Sequence, residues 1–179
     1  MKTDKTLPGV LLGISLLLFG AATAQAGEDQ PNAYVMTVYS DVAHGNEIID
    51  GAPQEVIAKL SSKADDRSNE LADQVNLCVA YTKTKQLEKA MEICDSAVAA
   101  ALKDARRLER SRMFGRQTTQ VADTGRAIAL TNRGVLHAVT GEKDKARLMF
   151  EMALMLKSKE ESARTNLRFL DRDTAVKDS

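Results

Sequence analysis

Gly134, Ala146, Phe150 and Ala153 stand at offsets of 0, 12, 16 and 19 along the chain. Gly134 sits within one helical stretch, Gly141 breaks that stretch, and Ala146, Phe150 and Ala153 share one face of the helix that follows. A small–small–large–small set at this spacing lets two antiparallel helices approach closely, with one aromatic ring filling the remaining space. Composition points the same way. Hydrophobic residues make up 44% of the 179-residue chain but aromatics only 4%, with no Trp, so the apolar content is mainly Ala, Leu and Val. That favours an all-α fold packed through small contacts over a sandwich of β-branched and aromatic strands.

With Ala127 as the first position of a 34-residue frame, Leu130, Gly134, Gly141, Ala146, Phe150, Ala153 and Leu154 fall at positions 4, 8, 15, 20, 24, 27 and 28. This pattern resembles the tetratricopeptide repeat family. It departs at Arg133, at His137 (usually an aromatic), at Lys143 and at Ser158 (usually proline). A second unit starts at Leu71, placing Leu77, Cys78, Tyr81, Leu87, Ala90, Cys94, Ala97 and Val98 on the pattern. Lys85 stands there in place of the turn glycine, so a looser or differently built bend is expected. Asn76 and Asn132 share position 6, and Asn166 follows Asn132 by 34 residues. The segment 162–170 is therefore expected to be the first helix of an unfinished unit capping the stack, with Arg164 and Arg168 outward.

Upstream, residues 37–70 fit the frame weakly. Gly51 falls on the turn, residues 54–63 read as a second helix, and residues 41–46 have little helical periodicity. Residues 33–39 are β-prone and are expected to form an extended arm on the first hairpin. Between the two good units lies an insertion, residues 105–126. It carries Arg106, Arg107, Arg110, Arg112, Arg116 and Arg126 against Glu109 and Asp123. No Gly or Pro interrupts residues 87–113, so one long helix is expected, ended by Gly115. A further helix starting near Gln117 or Asp123 then runs into residues 131–139, the two forming over-long helix ends that project from the stack. The predicted organisation is a leader (1–26), an arm with a degenerate half-repeat (27–70), a repeat (71–104), the insertion (105–126), a repeat (127–160), and a capping helix with tail (161–179).

The leader is read from Lys2 and Lys5, the uncharged run from Leu7 to Ala24, and the small residues of Ala24-Gln25-Ala26, with cleavage expected before Gly27. An uncleaved anchor is the alternative, since the run approaches the minimum span. Export to a periplasm or beyond is the expected address. Zero formal net charge gives no bulk case for nucleic acid.

Little in the chain points to chemistry. No phosphate loop, HExxH or serine–histidine–acid arrangement is visible, and no enzymatic activity, cofactor or metal is expected. His137, at an aromatic position, reads as a satisfied core histidine, and His44 has no second ligand beside it. Cys78 and Cys94, at positions 8 and 24 of one hairpin, should be neighbours. A disulfide and a reduced pair of small buried residues both satisfy that placement. Arg106, Arg107, Arg110 and Arg112 read either as a solvated face or as a contact for an anionic partner. Residues 27–70 hold nine acidic residues against three basic ones, so pairing of that segment with the insertion is a further option.

The resemblance implies a concave groove lined by Ala72, Val75, Val79 and Thr82 of one unit and Ile128, Thr131, Val135 and Ala138 of the other. Tyr81, Ala90, Ala97, Gly134, Ala146, Phe150 and Ala153 are the packing positions it implies. The Lys and Asn that clamp a C-terminal carboxylate in some family members are absent, as Val75, Thr131, Val79 and Val135 stand there. The expected function is an envelope adaptor holding an unidentified partner protein in an apolar groove. The alternatives are a self-associating structural module whose groove is filled by its own arm, and a membrane-surface binder acting through the insertion arginines.

Overall fold

The computed structural model describes residues 33–62, 70–110 and 116–175. The expected leader, Gly115 and Arg112 lie outside the described residues, as does the side chain of Arg116. Among the described residues the fold is all-α. An extended segment, residues 34–39, precedes α1 (Gly45–Ile49), α2 (Pro53–Ser61), α3 (Glu70–Lys83), α4 (Leu87–Arg110), α5 (Arg116–Val139), α6 (Lys143–Leu156) and α7 (Glu161–Ala175).

Each helix from α2 onward packs on its successor, and α3, α5 and α7 also meet in series to make one continuous face. Two helical hairpins, α3/α4 and α5/α6, form the body. In α5/α6 the predicted close approach is present: a Cβ on Gly134 would stand 2.5 Å from Cε1 of Phe150. Ala146, Phe150 and Ala153 are fully buried around it. In α3/α4 the same two positions are joined covalently. Cys78 and Cys94 form a disulfide with Cα atoms 4.8 Å apart, flanked by buried Ala90 and Ala97. Of the two readings left open by the sequence, the bridge is the one the fold adopts.

The bends of the two hairpins are built alike, contrary to the expectation that Lys85 loosens the first. In the first, Lys85 N donates to Thr82 O (3.1 Å) and Gln86 N to Tyr81 O (3.0 Å). In the second, Gly141 N donates to Ala138 O (3.1 Å) and Glu142 N to His137 O (2.8 Å). This is the left-handed helix stop that usually takes glycine. Lys85 adopts it at φ 60° where Gly141 has φ 86°. A threonine hydroxyl caps each: Thr84 Oγ1 donates to Ala80 O and Thr140 Oγ1 to Leu136 O, both at 3.0 Å.

α4 and α5 continue as long helices and pack on each other through Ala97 and Ala101 against Ile128 and Ala129. Small residues keep that contact close, and Arg133 to Asp95 (2.8 Å) ties the pair on its outer side. The capping helix α7 buries Ala163 and Leu170 against α5 and α6. Arg147–Asp171 (2.6 Å) and Lys143–Asp173 (2.5 Å) fasten it from α6. Upstream, α1 is a single short turn and α2 begins at Pro53, whose missing N–H costs nothing at a helix start. Ile48, Val56 and Leu60 bury against Leu77 and Tyr81 of α3.

Candidate functional site: a groove gripped by three asparagines

Every lining residue expected of the groove lies on α3 or α5. Val75, Val79, Ile128, Thr131 and Val135 are buried, and Ala72, Thr82 and Ala138 are half-buried. Val75, Val79, Ile128 and Val135 share their clusters with the chain's own Tyr34, Met36, Val38 and Tyr39. The extended segment 34–39 crosses α7, α5 and α3 in that order, so it spans the whole face and not only the first hairpin, where it was expected.

The hold is exerted by a residue type that sequence reasoning used only to fix the frame. Asn166, Asn132 and Asn76 are fully buried, one on each of α7, α5 and α3. Val35 N donates to Asn166 Oδ1 (2.7 Å), and Asn166 Nδ2 returns a bond to Val35 O (2.7 Å). Thr37 N donates to Asn132 Oδ1 (2.8 Å), and Asn132 Nδ2 to Thr37 O (2.7 Å). Tyr39 N donates to Asn76 Oδ1 (2.9 Å), and Asn76 Nδ2 donates to Tyr39 O (3.1 Å). Each carboxamide thus plays the part of a neighbouring β-strand towards one residue of the arm. A strand repeats every second residue, so three helices present their amides at the strand's own period. A buried carboxamide without partners is costly, and a buried strand edge equally so; each group here satisfies the other.

Side chains then splay to the two sides of the ladder. Tyr34, Met36 and Val38 pack towards the C-terminal halves of α3, α5 and α7, where Val79, Val135, Leu136 and Leu170 form the floor. Tyr34 lies edge-on to Phe169 (4.7 Å between centroids) and near-parallel to Phe150 (6.4 Å). On the other side Thr37 Oγ1 and Ser162 Oγ share a hydrogen bond of 2.9 Å. Tyr39 packs on Val75, Ile128 and Leu71, a fit that depends on Gly125, where a Cβ would meet Leu71 Cδ2 at 2.9 Å and Tyr39 Oη at 3.4 Å. Burial raises the Tyr39 phenol above its ordinary value, helped by Asp104 and Glu160. Burial and then Asp173 do the same for Tyr34. Both rings therefore carry neutral phenols at physiological pH.

The other candidates sit apart from the groove. Arg106, Arg107 and Arg110 are exposed on α4; Arg107 pairs with Asp104 (3.4 Å), and Arg110 Nε donates to Arg106 O (3.2 Å). Acidic residues of the N-terminal half find partners elsewhere, Glu47 at Lys59 (3.2 Å) and Glu70 at Lys103 (2.7 Å). His137 is buried with Nδ1 2.6 Å from Glu142 Oε2, as a satisfied core histidine should be. His44 Nδ1 lies 2.8 Å from Glu47 Oε1. That hydrogen bond, the glutamate's own backbone N–H and Lys59 hold the Glu47 carboxyl down at about 2. Among the described residues no group of three or more metal-ligating side chains comes together, and no described helix is long and apolar enough to cross a membrane. No protein-family model, curated protein or solved structure matches this chain.

Proposed function

We propose that this chain is an exported interaction adaptor of the tetratricopeptide type, whose concave face receives a protein segment in extended conformation, with residues 33–39 as its resident occupant. The observation that supports this is the asparagine ladder, which bonds main-chain N–H and C=O and leaves the identity of the bonded residues open. Affinity would come from the backbone and the apolar floor, and selection from the pockets that hold Tyr34, Met36 and Val38. Recognition by strand addition works in the same way, with main-chain bonds and alternate side-chain pockets. No catalytic step belongs to this reading. A partner segment and the arm need the same three carboxamides, so capture of a partner requires the arm to leave.

The test uses the full mature chain carrying Thr37→Pro, which deletes the N–H bonded to Asn132. A fluorescein-labelled peptide spanning residues 32–40 should bind this variant at least about tenfold more tightly than wild type, whose groove is full, since a buried pair of hydrogen bonds is worth about 1–3 kcal/mol. Adding Asn132→Ala should remove the gain, with helix content by circular dichroism unchanged. Equal binding by wild type and Thr37→Pro contradicts the proposal. The arginines of α4 favour no second reading, being exposed and in part neutralised within their own helix.

A further inference from the structure

The arm ends in a bend that the backbone resists. Ala43 and His44, neither of them glycine, hold φ of 53° and 58° in succession. The chain turns so sharply there that a Cβ on Gly45 would stand 2.0 Å from Tyr39 O. Left-handed geometry is unfavourable for residues with a Cβ and persists only where surroundings impose it. Gly45 N donates to Val42 O (3.1 Å) and His44 Nδ1 lies 2.8 Å from Glu47 Oε1, but the contact that ties the bend to the groove is one side chain. Asn76 Nδ2 lies 3.1 Å from Tyr39 O, 3.1 Å from Val42 O and 3.0 Å from Ala43 O, three acceptors for two protons. A strained hinge joins a separable strand to a body that holds it by contacts any identical strand would make.

We infer that the arm exchanges between copies: residues 33–39 of one chain seat in the groove of a second, and the second returns its own arm to the first. The inference rests on the groove reading above. Opening residues 40–44 into an extended link relaxes Ala43 and His44 and gives the arm a reach of about 17 Å beyond its own body. All six ladder bonds and the floor contacts re-form unchanged in the other copy, so only the hinge and the entropy of association distinguish the two states. Strain concentrated in a short hinge favours the exchanged one. Reciprocal exchange closes on two chains, leaving no empty groove and no loose arm to recruit a third. The partner that best fits this surface is thus a second copy of this chain.

Two single variants, Thr37→Cys and Ser162→Cys, test this, since their side-chain oxygens are hydrogen-bonded across the arm–groove contact in wild type. Mixed at high concentration and oxidised gently, they should yield a covalent heterodimer that rises with protein concentration and disappears on reduction. Ala43→Gly in both chains should lower that yield about fivefold per hinge, because glycine accepts the bend. The double variant Thr37→Cys/Ser162→Cys, oxidised at high dilution, reports separately on the groove. An intrachain bond there, with no heterodimer in the mixture, overturns exchange and leaves the groove reading standing. No disulfide between these two positions, within or between chains, overturns both. Light scattering of the wild-type chain should show a concentration-dependent dimer, and a monomer at every concentration counts against exchange.

Discussion

The two hairpins solve one packing problem by different chemistry. Their first helices carry Cys78 and Gly134 at equivalent places, their second helices Cys94 and Phe150, and their bends Lys85 and Gly141. In α3/α4 a covalent bridge brings the helices together, with Cα atoms 4.8 Å apart. In α5/α6 nothing covalent helps, and the approach depends on the missing Cβ of Gly134 under a fully buried phenyl ring. The first hairpin is thus secured by a covalent bond, and the second by shape alone. Both hairpins nevertheless present an asparagine at the same place to the same arm, so the groove needs each helix pair closed and is indifferent to how.

Removing the bridge should separate the two most. Cys78→Ala/Cys94→Ala frees a loop of 16-residue separation, and thermal unfolding should report a loss of about 3 kcal/mol. The loss should appear first in α3/α4 amides. Gly134→Ala should strike the other hairpin. Its Cβ meets Phe150 carbons at 2.5 and 2.7 Å and Met149 Cβ at 3.1 Å. An overpacking cost of about 3 kcal/mol, less about 1 kcal/mol of helix propensity, leaves a net loss of about 2 kcal/mol. Phe150→Leu should recover part of that loss in a double-mutant cycle, while reduction of the disulfide should leave it unchanged.

The bends give smaller, opposite effects. Lys85→Gly relieves a left-handed lysine and should stabilise by about 1 kcal/mol, whereas Gly141→Ala should cost about 1 kcal/mol. Denaturant midpoints moving in the same direction would contradict the shared geometry. The subtlest difference is acid sensitivity. Glu142 stands in the second bend where Gln86 stands in the first, and Lys145 and then His137 hold its carboxyl below the ordinary value of 4.5. A lowered carboxyl stabilises the fold at pH above its ordinary value and loses that contribution as pH falls through the lowered one. Amide exchange at Gly141 and Glu142 should therefore quicken, relative to Lys85 and Gln86, as pH drops below that ordinary value. Glu142→Gln should erase the difference.

Much of this architecture was legible because small residues at fixed offsets leave few alternatives. Gly134, Ala146, Phe150 and Ala153 read as a close helix pair from spacing alone, and the absence of Gly and Pro from residues 87–113 announced a long helix. The bend at Lys85 was misread because a left-handed conformation there is imposed by Thr84 and the two flanking helices, not by the lysine. That Val75, Val79, Ile128 and Val135 stand on inward positions was legible, but the grip on the arm was not. Asparagine within a helix ordinarily signals weak propensity, and the arm residues it bonds are 37, 95 and 131 positions away. The available signal was the coincidence of three frame-matched asparagines with a strand-prone stretch in which apolar Tyr34, Met36 and Val38 alternate.

The central claim, that three carboxamides hold alternate residues of the arm, is tested most directly by residue-resolved hydrogen exchange on the wild-type chain. The amides of Val35, Thr37 and Tyr39 should exchange slowly while those of Met36 and Val38 exchange fast, and Asn132→Ala should release Thr37 first. Uniformly fast exchange from residue 34 to residue 39, with the helices still protected, would contradict it.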